Sequence, residues 1–142
     1  MINIGFEAKK EIPVKMNEEL EKLQGSWEVV TLEVEGQRVP AAFFSGAKIV
    51  IDGDNFSTIA MGAAYAGTLT LDIASNPRRF DVLFNEGPHK GQASLGIYEL
   101  SGSTWKICLG FAGKDRPKDF ATTAGSGHAL ESLERETSAA VA

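Results

Sequence analysis

From Ser26 to Arg135 the chain is written in short runs of alternating apolar and polar residues. Trp105, Ile107, Leu109 and Phe111 fall on one side of an extended segment, with Lys106, Cys108 and Gly110 on the other. Phe80, Val82 and Phe84 oppose Arg79 and Asp81 in the same way. A period of two marks a strand with one buried face. Strands are predicted at Ser26–Glu35, Ala47–Asp52, Asn55–Met61, Tyr65–Asp72, Arg79–Asn85, Gln92–Leu100, Thr104–Phe111 and Gly127–Arg135. Asp52-Gly53-Asp54-Asn55 and Ser101-Gly102-Ser103 read as tight hairpin turns, Asn76-Pro77 and Glu86-Gly87-Pro88 as looser connections. Short links imply antiparallel neighbours in a meander. The fold class is therefore all-β, and eight such strands can close into an antiparallel up-and-down barrel that leaves no free edge. A β-sandwich is the competing architecture. In the barrel, Trp27, Val29 and Thr31 would share the interior with the two apolar faces, leaving Glu28 outward.

Ahead of the strands the period changes. In NEELEKLQ, residues 17–24, Leu20 and Leu23 share one side, acids occupy the first turn, and Asn17 is placed to cap it. A short N-terminal helix is expected here, stopped by Gly25. Residues 1–15 contain Pro13 and no period and are expected to form a tail. Residues 16–136 would be the barrel domain and 137–142 a C-terminal tail. The 142 residues suit one domain built on one core.

Charge and cysteine usage narrow the partners. Fourteen Lys and Arg against nineteen Asp and Glu leave a net charge of −5, which disfavours nucleic acid, because phosphate binding relies on clustered cations. One cysteine cannot form an intramolecular disulfide. The opening MINIGFEAKKEIPVK lacks the apolar core of a signal peptide, and no stretch approaches 18 apolar residues. The expectation is a cytoplasmic protein with no membrane partner.

Candidate chemistry is sparse. His89 and His128 lie in different segments and form no ligand spacing, so neither a metal nor a cofactor is expected. Cys108 sits mid-strand among apolar neighbours with no cationic site to stabilise a thiolate. Ser126, His128 and Asp115 supply the residue types of a hydrolase triad, but Gly125-Ser126-Gly127 is not a nucleophile-elbow sequence, and a glycine-rich approach to the last strand explains it. The charged loop 113–119 is longer than a meander requires; Lys114, Arg116 and Lys118 could meet an anion at a barrel mouth, although Asp115 and Asp119 nearly cancel them. His89 lies in Glu86-Gly-Pro-His-Lys-Gly91, which reads first as a turn.

Gly25-Ser26-Trp27 matches the Gly-X-Trp signature of lipocalins, and Arg135 stands where that family carries an arginine stacked on the tryptophan. The segments LQGSWEVV, KIVIDGDNF, EGPHKGQASLGIYELSGSTWKICLGFAGKDRPKDFAT and GSGHALESLERE resemble an uncharacterised family of lipocalin-like domains, mainly from planctomycetes and related bacteria, over roughly residues 18–136. The resemblance implies a lipocalin-like barrel whose first and last strands are neighbours, closed at one end by Gly25, Trp27 and Arg135. It implies no activity. Glu131 departs from it, at a place where an apolar strand residue is expected.

A barrel of this size either fills with side chains or holds one small ligand. The leading expectation is a non-enzymatic protein binding a small apolar ligand against Val29, Thr31, Phe80, Val82, Trp105, Ile107 and Leu109, reached from the end opposite Trp27. The alternative is a structural or protein-interaction module with a fully packed barrel, for which Phe43, Phe44 and Phe56 add filling volume.

Overall fold

A computed structural model describes residues 14–60 and 63–136; both expected tails lie wholly or largely outside the described residues, as does the end of the third predicted strand at Met61. The chain opens with helix α1 (Val14–Leu23). Leu23 is fully buried and Leu20 packs beside it, so the apolar edge of this helix faces the barrel. The helix starts three residues earlier than expected, and Asn17 lies within it instead of capping it. It stops before Gly25, whose φ of +109° suits a residue without a Cβ.

The strands are β1 (Gly25–Val34), β2 (Gln37–Arg38), β3 (Lys48–Asp52), β4 (Asn55–Ala60), β5 (Ala63–Asp72), β6 (Arg78–Glu86), β7 (Ala93–Ser101), β8 (Thr104–Gly110) and β9 (His128–Arg135). Each from β3 to β9 pairs antiparallel with the next, β3 pairs with β1, and β9 returns to β1. This is a closed eight-stranded antiparallel barrel of lipocalin-like architecture, with a short N-terminal helix and β2 outside the ring. Closure excludes a sandwich. The turns at Gly53-Asp54 and Gly102-Ser103 are two-residue hairpins, as Asp52 pairs with Asn55 and Ser101 with Thr104. A third hairpin joins β1 to β2. Its two central residues, Glu35 (φ 49°) and Gly36 (φ 85°), both take positive φ, the geometry of a type I′ turn.

One irregularity re-aims the first strand. Trp27 pairs with Arg135 and Val29 with Leu133, but Thr31 then pairs with Ser132 and Leu32 with Glu131, leaving Val30 as a bulge, 44% exposed. An extra residue reverses the side-chain phase. Leu32 and Val34 therefore turn inward, and Thr31, expected inside, faces out.

The core fills the helix end of the barrel. Trp27 and Trp105 are fully buried and meet edge to face with ring centres 5.4 Å apart. Each indole removes about 200 Å² from water, on the order of 5 kcal/mol of gross transfer energy. Trp27 Nε1 donates to Leu23 O at 2.8 Å, which joins the barrel floor to the end of α1. Arg135 lies over the Trp27 ring at 4.3 Å and donates to the carbonyls of Gln24 and Lys22. One guanidinium thus makes a cation–π contact and satisfies carbonyls at the helix C-terminus. A second tie joins the helix to the wall: Glu19, 4% exposed, accepts from Arg78 Nη1 at 2.9 Å and from Tyr98 Oη at 2.8 Å. Burial, and then the Glu19 carboxylate, push the Tyr98 hydroxyl far above the ordinary phenol range.

A candidate ligand cavity at the open end

Away from Trp27 the barrel is not filled. Phe80 forms a floor: its ring lies against Gly96, where an added Cβ would come within 2.4 Å of ring carbons, and it packs beside Tyr98 and Trp105 at 6.2 and 6.5 Å. Above that floor the inward residues include Ser94 and Ala129, too small to meet across the barrel. A cavity of about 460 Å³ results. Its walls are Val29, Leu32 and Val34 of β1, Ile49 of β3, Phe56, Thr58 and Ile59 of β4, Tyr65 of β5, Val82 and Phe84 of β6, Leu109 of β8, and Ala129 and Glu131 of β9. The mouth is framed by residues 43–47, His89, Phe111 and Ala112. A 3-10 turn at Ala41–Phe43, which the alternation did not reveal, places Phe43 on this rim, 67% exposed.

Of the expected interior residues, Val29, Phe80, Val82 and Leu109 line the cavity. Trp105 and Ile107 do not: both are fully buried in the filled half beneath it. Thr31 is outside the barrel because of the bulge, and its place is taken by Leu32 and Val34. Phe56 and Phe44 lie in the lining without closing it, so a barrel packed to both ends does not describe this half.

Glu131 is the main polar feature of the lining. Its register partners are Leu32 on β1 and Ile107 on β8, and it makes no ion pair or side-chain hydrogen bond among the described residues. Glu131 is half-buried, its exposed surface facing the open cavity, and its burial in the wall pushes the carboxyl up to about 7. Ser94, 5% exposed, also has no side-chain partner among the described residues. Thr58, in contrast, is engaged: its hydroxyl donates to Lys48 O at 2.8 Å. His89 stacks on Tyr65 with ring centres 5.4 Å apart and leans on Phe84 at 5.9 Å, as one ring of an aromatic group at the mouth. The alternation signalled the apolar wall, whereas Glu131, noted in the sequence only as a carboxyl where an apolar residue is expected, was not assigned to the site.

The long β8–β9 connection serves a different purpose from the one its charges suggested. After Phe111 and Ala112 at the rim it runs as a strap over the outer wall. Arg116 Nη1 donates to Gly96 O at 2.9 Å and lies 2.8 Å from Asp81 Oδ1. The Asp81 contact is ionic without an aligned hydrogen bond, since that oxygen has no hydrogen-bond partner. Thr122 Oγ1 donates to Glu33 at 2.6 Å and accepts from Gly36 N at 2.7 Å. Gly110 admits the strap, because a Cβ there would sit 2.4 Å from Asp115 O. Arg116 therefore holds the strap on the wall and is not offered to an anion at the mouth.

Beneath the strap Cys108 is fully buried, near Ala121 O, and burial pushes its thiol up to about 11. Ser126 donates to Thr123 O at 2.6 Å and the His128 ring meets the backbone oxygen of Asp115 at 3.1 Å, so these residues do not form a triad. Among the described residues no three His, Cys, Asp or Glu side chains gather as metal ligands, and no helix is long and apolar enough to cross a membrane.

Comparison of the chain with protein-family models, with curated proteins and with solved structures returned no match.

Proposed function

We propose that the protein is a non-enzymatic binder that holds one small, mainly apolar ligand in the open half of the barrel. The observation that carries this reading is the cavity of about 460 Å³, walled by aliphatic and aromatic side chains and open opposite Trp27. Its size lies within the range of about 300–1,000 Å³ typical of small-molecule sites. The lining also has the usual composition of such a site, an apolar wall with a few polar groups. The stacking of Arg135 on Trp27 supports the further proposal that the chain is a relative of the lipocalin-like domains it resembles in sequence.

The test is titration with N-phenyl-1-naphthylamine, a dye that is uncharged at neutral pH and brightens in apolar surroundings. Saturable binding of one dye per chain is expected. Fluorescence that rises without saturation, or does not rise, would sink the carrier reading. A protein-interaction module would then be favoured by a specific observation, the exposed Phe43 and Ile59 (63% exposed) beside the mouth.

A further inference from the structure

We propose, resting on the carrier reading, that the cavity selects apolar amines, with the protonated nitrogen pairing with Glu131 while the hydrocarbon lies against the apolar wall. The geometry gives three reasons. Glu131 projects from the middle of β9 into the cavity, between Leu32 and Ile107, with no partner among the described residues. Among the described residues no Lys or Arg lines the cavity, so a bound carboxylate or phosphate would find no fixed cation among them. The only other titratable side chains in the lining among the described residues, Tyr65 and His89, are stacked on one another at the mouth.

Ligand classes can be ranked on these facts. An alcohol would satisfy Glu131 or Ser94 by an ordinary hydrogen bond. An ammonium group would add charge to the same bond, and charge-assisted hydrogen bonds are roughly twice as strong as neutral ones. A fatty acid would place a second carboxyl near the first, and like charges in so apolar a space disfavour one another. Burial raises the cost of an ionised, unpaired Glu131, and a bound ammonium is the partner that removes it. Where the carboxyl is still protonated, it gives up that proton to solvent as the ammonium binds.

The experiment is displacement of N-phenyl-1-naphthylamine by octylamine, 1-octanol and octanoate at pH 8, three ligands with one chain and different heads. Wild-type protein should release dye at an octylamine concentration at least about tenfold below that needed with either other ligand, a factor worth about 1.4 kcal/mol. In Glu131→Gln the advantage of octylamine over octanol should disappear, the two displacing dye at concentrations within about twofold of each other, because the neutral amide offers a hydrogen bond to either head but no charge to the ammonium. Glu131→Leu provides the same reading should the Gln variant fail to fold. If octylamine is no better than octanol in wild type, or keeps its advantage in the variants, the amine assignment is overturned while the carrier reading stands. If wild-type protein does not bind the dye, both fall.

Discussion

The two ends of this barrel are built from the same strands and differ in what their inward residues leave behind. At the helix end, Trp27, Trp105, Ile107 and Leu133 are fully buried, and hydrogen bonds from Trp27 and Arg135 close the floor against α1. At the other end, the alternation, reversed in β1 by the Val30 bulge, delivers Leu32, Val82, Ser94 and Ala129 around a void, with a carboxyl in its wall that has no partner among the described residues. One end is filled with aromatic volume, and its buried polar groups are paired except for the Trp105 indole N–H, which has no partner among the described residues. The other retains an unfilled volume and a charge-bearing group, features that cost stability and therefore point to recognition. Stability should then reside at the closed end and binding at the open one, a division that substitutions can break.

The largest effect is expected at the floor. Trp27→Ala removes an indole with no exposed surface, its hydrogen bond to Leu23 O and its contact with Arg135, and should cost about 3–5 kcal/mol in denaturant melts. A loss below about 1 kcal/mol would show that the closed end does not carry the fold. Next comes Glu19→Ala, which leaves Tyr98 without its acceptor and separates α1 from Arg78. Because Arg78 remains about half exposed and can rehydrate, the expected cost is about 2–3 kcal/mol, toward the lower end for a broken buried pair.

At the open end the sign reverses. The Glu131 carboxyl titrates near 7 in the folded protein against an ordinary 4.5, so between those values the folded chain binds more protons than the unfolded one. Stability must then fall as pH rises through that window and stay lower above it. Glu131→Gln should flatten this slope, leaving stability at pH 5 nearly unchanged and raising it at pH 8 by about 1–3 kcal/mol. Equal effects at both pH values would show that the carboxyl does not sit in an apolar cavity. Val82→Trp should abolish dye binding; Val82 is 1% exposed, so the larger indole meets packed neighbours as well as the void, and the cost should be about 1–3 kcal/mol. A cost well above that range would mean that the open half is as tightly filled as the closed one.

The same contrast explains what the sequence disclosed. The eight barrel strands are legible because a period of two survives in each, and the positions of Trp27 and Arg135 follow once the first and last strands are neighbours. The bulge at Val30 is not legible, since both phases of β1 present apolar residues: Val29 before it, Leu32 and Val34 after it. Placing Thr31 inside was the consequence. The β1–β2 hairpin escaped because Glu35-Gly36 is a weaker turn signal than Asn-Gly or Asp-Gly. The strap depends on tertiary contacts, Arg116 reaching Gly96 O and Thr122 reaching Glu33, that no local pattern encodes. Whether Phe80, Phe84 and Phe56 fill the barrel depends on ring placement, which Gly96 determines for Phe80. Glu131 was visible as an exception to the alternation, and exceptions of that kind concentrate at sites where a sequence gives up stability for function.

The most direct test of the division between the two ends is an amide and indole chemical-shift titration of the labelled protein with N-phenyl-1-naphthylamine. Saturable shifts are predicted at Val34, Ile59, Val82, Leu109 and Glu131, with the Trp27 indole and the Leu23 amide unmoved. Shifts centred on the helix end or on the outer strap, or no saturable shift at any residue, would contradict the account.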